Sequence, residues 1–120
     1  MISFIKRMTI HLMNNYRKLS EQEIQQLKAH SCTADDWTNI EVATEFNVDY
    51  VYHTRFSGKI RLGVFEHEFT LAGGMRKHAG LYHATLHNVT VGNHCCIENV
   101  KNYIANYDIG DYTFIENVDI

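Results

Sequence analysis

Ten residues beginning at Val91 return, eighteen positions later, beginning at Ile109. Val91-Gly92-Asn93-His94-Cys95-Cys96-Ile97-Glu98-Asn99-Val100 aligns with Ile109-Gly110-Asp111-Tyr112-Thr113-Phe114-Ile115-Glu116-Asn117-Val118. Gly, Ile, Glu, Asn and Val recur identically, and Val/Ile and Asn/Asp are conservative exchanges. Leu86-His87-Asn88 precedes Ile104-Ala105-Asn106 by the same step, and Gly74 precedes Gly92 by it. Ordinary β-turns between unrelated strands would also place glycines, but turn chemistry does not impose a fixed register. Self-similarity at one period is the mark of stacked repeats.

A shorter step runs inside the longer one. Val91, Ile97, Tyr103, Ile109 and Ile115 are spaced six apart. Apart from Tyr103, which is followed by Ile104, each opens a hexad with an aliphatic residue followed by Gly or an acidic residue. Three hexads per eighteen residues predict a three-faced prism of short parallel strands, with the aliphatic residue pointing inward and the next at the corner, where Gly tolerates φ > 0. Adjacent coils of such a prism lie about 4.8 Å apart, so equivalent residues stack. The pattern predicts columns of Gly74, Gly92 and Gly110, of Ile97 and Ile115, and amide ladders of Asn88 on Asn106 and Asn99 on Asn117. One face is out of phase: Tyr103 holds the aliphatic position, so Leu86 and Ile104 are expected to point inward there instead.

Upstream, Ser20-Glu21-Gln22-Glu23 reads as a capping box with Leu19 and Ile24 as its hydrophobic staple, predicting a helix that ends near His30. Thr33-Ala34-Asp35-Asp36 reads as a second box capping a short turn that carries Trp37, expected to pack the helix onto the next element. Strands are predicted at Ile40-Glu41-Val42, Val51 to Phe56, Lys59 to Phe65 and Glu68 to Leu71, with turns at Ser57-Gly58 and Gly73-Gly74. No flexible linker interrupts the chain. The expected organisation is an N-terminal extension over 1–15, a helical cap with β-strands over 16–72 and the repeat over 73–120. The repeat stops inside a coil without a visible cap, so a truncated chain is expected.

Composition narrows the function classes. The formal net charge of −3 carries no basic excess, which argues against nucleic acid. The first fifteen residues are too short and too interrupted by Lys6, Arg7 and His11 for a membrane span or a secretory leader, so no membrane partner is expected. Cys32, Cys95 and Cys96 are too few for a disulfide framework, and the adjacent pair points to opposite faces of a strand; all three are expected reduced, in a cytoplasm. His78, His83 and His87 do not make a metal site: the four-residue spacing of the last two suits a helix, and the segment reads as strand. Glu66-His67-Glu68 fails on the same ground. No metal and no resident cofactor are expected.

The repeat resembles the hexapeptide-repeat superfamily, whose members form left-handed parallel β-helices, usually as trimers. Tyr16-Arg17-Lys18-Leu19, Cys32-Thr33-Ala34-Asp35-Asp36-Trp37, Phe56-Ser57-Gly58, Ala84-Thr85-Leu86-His87-Asn88 and Tyr103-Ile104-Ala105-Asn106-Tyr107 more closely resemble the N-terminus of a bacterial family of large hexapeptide-repeat proteins, catalogued as a domain of unknown function. The left hand, the homotrimer and the longer chain are what these resemblances imply. So is an acyltransferase-like activity, moving an acyl group from coenzyme A or acyl carrier protein to a sugar amine or hydroxyl, with a His as general base. His87, beside Asn88, and His94, in the turn after Gly92, are the candidate bases; the alternative for each is a solvated surface histidine. Against the enzyme stand a non-catalytic scaffold or trimerisation module, and a β-helix of the kind attached to sugar-nucleotide enzymes, for which no Gly-rich phosphate loop is present.

Overall fold

The computed structural model describes residues 15–116. The expected extension, apart from Asn15, and the Asn117 end of one predicted ladder lie outside them. Among the described residues the fold is mainly β with one α-helix. Strand β1 (Tyr16–Lys18) leads into helix α1 (Glu21–Ala29). The short strands β2 (Thr33–Ala34), β3 (Ile40–Ala43) and β4 (Val51–Tyr52) follow. Then come β5 (Arg55–Leu62), β6 (Glu68–Thr70), β7 (Arg76–His78), β8 (Gly80–Tyr82) and β9 (Thr85–Val91). The last are β10 (Cys96–Glu98), β11 (Ile104–Ala105), β12 (Asp108–Ile109) and β13 (Phe114–Glu116).

The capping box forms as read. Ser20 Oγ accepts from the Glu23 amide at 3.1 Å, and Glu23 accepts from the Ser20 amide at 2.9 Å. Arg17 then grips the same carboxylate through both guanidinium nitrogens, at 2.7 and 2.9 Å. The helix buries Leu27 and ends where Ser31 turns to φ 65°. The second box does not form. Thr33 is taken into β2, pairing with Arg55, and Asp36 alone caps a 3-10 turn at Trp37–Asn39 by accepting from the Thr38 amide. Backbone pairing outcompeted the threonine hydroxyl for that segment. Trp37 packs on the core, with the Lys28 ammonium of α1 over its ring.

Two sheets run through the molecule. One has the path β1-β3-β5-β9-β11, with β2 and β12 joined to its sides; the other has the order β13-β10-β8-β4. Apart from antiparallel β1–β3, every pair in these two sheets is parallel. Leu86 pairs with Ile104, Val91 with Ile109, and Ile97 with Ile115, each eighteen residues on, as the repeat predicts. The inward set is also as read: Val91, Ile97, Leu86, Ile104 and Ile109 are buried, whereas Tyr103 is 58% exposed. Burial of these aliphatic columns, extended by Ile40, Ile60, Leu62 and Leu81, supplies the main stabilising term.

The eighteen-residue step does not extend backwards. Arg55 pairs with Thr85 and Val51 with Leu81, thirty residues apart, while Gly80 pairs with Cys96 at sixteen. An antiparallel hairpin, β6–β7, is inserted between β5 and β8. Gly74 therefore sits at the hairpin tip and not under Gly92; its place is taken by Gly63, whose amide donates to Val91 O as the Gly92 amide donates to Ile109 O. The corners also differ from expectation. Gly92 is required by close approach, since a Cβ there would lie 2.8 Å from Ile109 O and from the Asp111 amide nitrogen. The left-handed conformation falls on His53, His83 and Asn99 at one bend, on Asn88 and Asn106 at the next and on His94 and Tyr112 at the third. Ser57-Gly58 is no turn either. Strand β5 runs through it, with a register shift between Ser57 and Ile60 and Gly58 at φ 67°.

Candidate functional site

The inserted hairpin roofs one face of the β8–β10–β13 sheet. Phe69 of β6 meets Phe114 edge-on at 5.3 Å, and His78 of β7 stacks on Tyr50 at 3.6 Å. The Ala79 amide, just after β7, donates to His67 O at 2.7 Å. Between roof and sheet lies a cleft of about 340 Å³ lined by Arg76, Lys77, His78, Tyr82, His83, Glu98 and Asn99. Glu98 is its buried charge, 6% exposed. The Lys77 ammonium reaches it at 3.0 Å and holds its own pKa above the ordinary lysine value through that bond. A buried carboxylate, a paired cation and shifted neighbours in one concavity mark this as the candidate site.

Its chemistry is quiet. Burial pushes the Tyr82 phenol up to about 12, and the neighbouring Cys96 sulfur adds to the shift. Burial, then the negative charge of Glu98, pushes the Cys96 thiol up to about 12. Cys95 is pushed up to about 11, again by burial, and its Sγ donates to Gly110 O at 3.0 Å. The thiolate is the nucleophile, so none of these sulfurs is poised to attack. Cys95 joins the main core and Cys96 does not, as opposite faces of a strand require. All three cysteines are free and buried.

The two candidate bases are at different bends and outside this cleft. His87 is exposed, in a chain of polar contacts: the Lys59 amide donates to Asn88 Oδ1 at 2.9 Å, which turns Asn88 Nδ2 toward His87 Nε2 at 3.1 Å and Asn106 Oδ1 at 3.3 Å. The last contact is the predicted amide ladder. With Nε2 accepting, the neutral ring carries its proton on Nδ1 and donates it to Ser57 Oγ at 2.8 Å. His87 is thus a donor toward the one hydroxyl it touches. His94 is half-buried, and its Nδ1 accepts from the Glu66 amide at 3.2 Å. In both rings the lone pair a general base needs is already occupied. His83, exposed, stacks on His53 at 4.5 Å. Among the described residues no three His, Cys, Asp or Glu side chains converge as metal ligands.

A second, larger groove of about 770 Å³ lies on the other sheet, lined by Lys18, Asn39, Glu41, Lys59, Arg61, Asn88 and Thr90 among others. Register sets its charges in line: Lys18 is opposite Glu41, Glu41 opposite Arg61, and Arg61 opposite Thr90. Arg61 bonds Glu41 at 3.0 Å. The sequence reading missed Lys77 and Glu98 as site residues. The repeated Ile-Glu-Asn-Val drew attention to Glu98, but nothing local shows that an insertion folds Lys77 over it.

Comparison with known proteins gives a family and one relative. Residues 16–120 match a family described as Domain of unknown function (DUF4954). A protein of Treponema pallidum (strain Nichols), described as "Uncharacterized protein", is 29% identical over 110 residues, covering 87% of this chain and 14% of its own length. The chain thus spans about one seventh of that relative. No solved structure matches the chain. No helix among the described residues is long and apolar enough to cross a membrane.

Proposed function

We propose, from the premise that this chain belongs to the DUF4954 family, that it is a rigid assembly module: the cap and opening coils of a left-handed, hexapeptide-type parallel β-helix. In the full-length protein this helix would associate as a homotrimer in the cytoplasm. The eighteen-residue parallel ladders support the β-helix reading, and the free thiols support a reducing compartment. The hand and the trimer rest on the resemblance to hexapeptide-repeat proteins. One observation favours assembly over catalysis: the acceptor nitrogens of His87 and His94 are both taken by protein N–H groups. The test is light scattering on the full-length protein. A stable trimer is expected, and a monodisperse monomer overturns the reading.

The second reading is acyl transfer from coenzyme A or acyl carrier protein. What favours it is the larger groove, where Lys18, Lys59 and Arg61 outnumber Glu41 and suit a phosphate-bearing carrier. Titration calorimetry with coenzyme A and with acyl carrier protein decides it. Binding that is lost in Lys59→Ala and Arg61→Ala supports the enzyme; no heat with either carrier removes it.

A further inference from the structure

The chain leaves β5 for the inserted hairpin through residues 63–67, and this strap is fastened to the bend at Asn93-His94. The Val64 amide donates to Asn93 Oδ1 at 3.1 Å, and the His94 amide donates to Val64 O at 2.7 Å. Phe65 is fully buried, edge-on to Phe46 at 6.2 Å. The last fastening before the hairpin is of a different kind. There the Glu66 amide donates to an imidazole, His94 Nδ1, at 3.2 Å. Backbone and amide acceptors do not titrate in water, whereas an imidazole does so in mild acid. With Nδ1 accepting, the neutral ring carries its proton on Nε2. In the imidazolium both nitrogens are donors, so the Glu66 N–H would face a second N–H and lose its acceptor.

The surroundings give the charged ring no new partner. From the strap, Glu66 presents its amide, and His67 lies 6.5 Å away as a second imidazole that acid charges with the same sign. From the next coil, Asp111 Oδ1 is taken by the Asn93 amide at 2.8 Å, and the Tyr112 ring tilts against His94 at 5.1 Å. Cys95, beside His94 in the chain, is pushed up to about 11 by burial and stays neutral. From β6, Glu68 bonds Arg76 at 3.2 Å, and Phe69 brings only its ring. Among the described residues no carboxylate forms an ion pair with His94.

We propose that His94 is an acid-released pin for the hairpin roof: the neutral ring holds the strap on the bend, and its protonation frees the roof and uncovers the Lys77–Glu98 cleft. The pin needs only the bend and the inserted hairpin, so it stands whether the module assembles or acts on a substrate. Its sign follows from the bonding. The closed strap excludes the proton that the open one accepts, so closure is complete at neutral pH and weakens as pH falls below about 6.5, the range of a free imidazole.

NMR on the 120-residue chain tests this. Exchange protection of the Glu66 and His94 amides is compared at about pH 7.5 and 5, relative to β3, which carries no histidine. In the wild type it is expected to fall by roughly tenfold toward acid, against a ceiling of about thirtyfold for one site that titrates near 6.5 in the open form alone. The cross-peak between the Phe69 and Phe114 rings is expected to weaken in step. His94→Asn offers an oxygen in place of Nδ1, does not titrate and tolerates the positive φ of this bend, so it is expected to stay protected at both. A flat wild-type profile overturns the proposal, and so does a Phe69–Phe114 contact unchanged in acid. An undiminished pH dependence in His94→Asn overturns it as well and moves the effect to His67. Should that variant lose protection throughout, ring-nitrogen NMR of the wild type decides: release of the Glu66 amide in step with His94 protonation supports the pin, and an unchanged Glu66 amide overturns it.

Discussion

Gly92 and Gly110 occupy the same position one repeat apart and differ in what surrounds them. A methyl group at Gly92 would meet Asp111 and Ile109 O, whereas at Gly110 it would meet nothing within 4 Å. Gly92→Ala is therefore expected to destabilise by roughly 1–3 kcal/mol, and Gly110→Ala to be near neutral. Equilibrium urea unfolding of the two variants separates them. The buried thiols give a second expectation. Cys95 and Cys96 titrate near 11 and 12 when folded, against 9.0 as the ordinary value. A raised group contributes stability in full below its unfolded value, so a contribution of at most about 3 kcal/mol at Cys95 and about 4 kcal/mol at Cys96 is lost as pH rises from about 9 to about 11 and 12 respectively. Unfolding followed over that range should show a steep alkaline loss that Cys95→Ala and Cys96→Ala each reduce. A profile unchanged by either substitution would refute the assignment.

Helix α1 and the hairpin are held by different means. The helix depends on local capping, so Ser20→Ala is expected to cost about 1 kcal/mol by urea denaturation. Its carboxylate Glu23 is held below the ordinary glutamate range by Arg17, so that contribution is present at neutral pH and is lost as the solution turns acid through the folded value. The hairpin depends on packing and on Lys77. Lys77→Met leaves Glu98 buried without its cation and is expected to cost roughly 1–3 kcal/mol, part of which Glu98→Gln in the same chain should restore. The double-mutant cycle measures the pair. These two elements also differ in how far the sequence revealed them. The helix was legible from four adjacent residues because a capping box is local chemistry. The hairpin strands were partly legible, but their position was not. Gly74 lies by coincidence eighteen residues before Gly92 and mimicked a repeat that Gly63 in fact completes. Leu86 and Ile104 were correctly read as inward because their apolar pattern is direct. The Lys77–Glu98 pair was hidden because it depends on where an insertion lands.

At the scale of the whole molecule, the sheets are built by laying each stretch of chain against the previous one. The repeat alone disclosed the last of these ladders, and the earlier ones escaped because their steps of thirty and sixteen residues leave no common period. One consequence is mechanical. Among the described residues the ladders join positions no more than 30 apart, so no ladder there ties β1 to β13. A load on the C-terminal end meets β13 first, then β12 and β11, and only later β9 against β5. Such a molecule behaves as a ratchet of separate rungs rather than as one clasp. Drawn out in an optical trap, it should lengthen in a staircase of short increments, with the rung carrying the hairpin as the longest step.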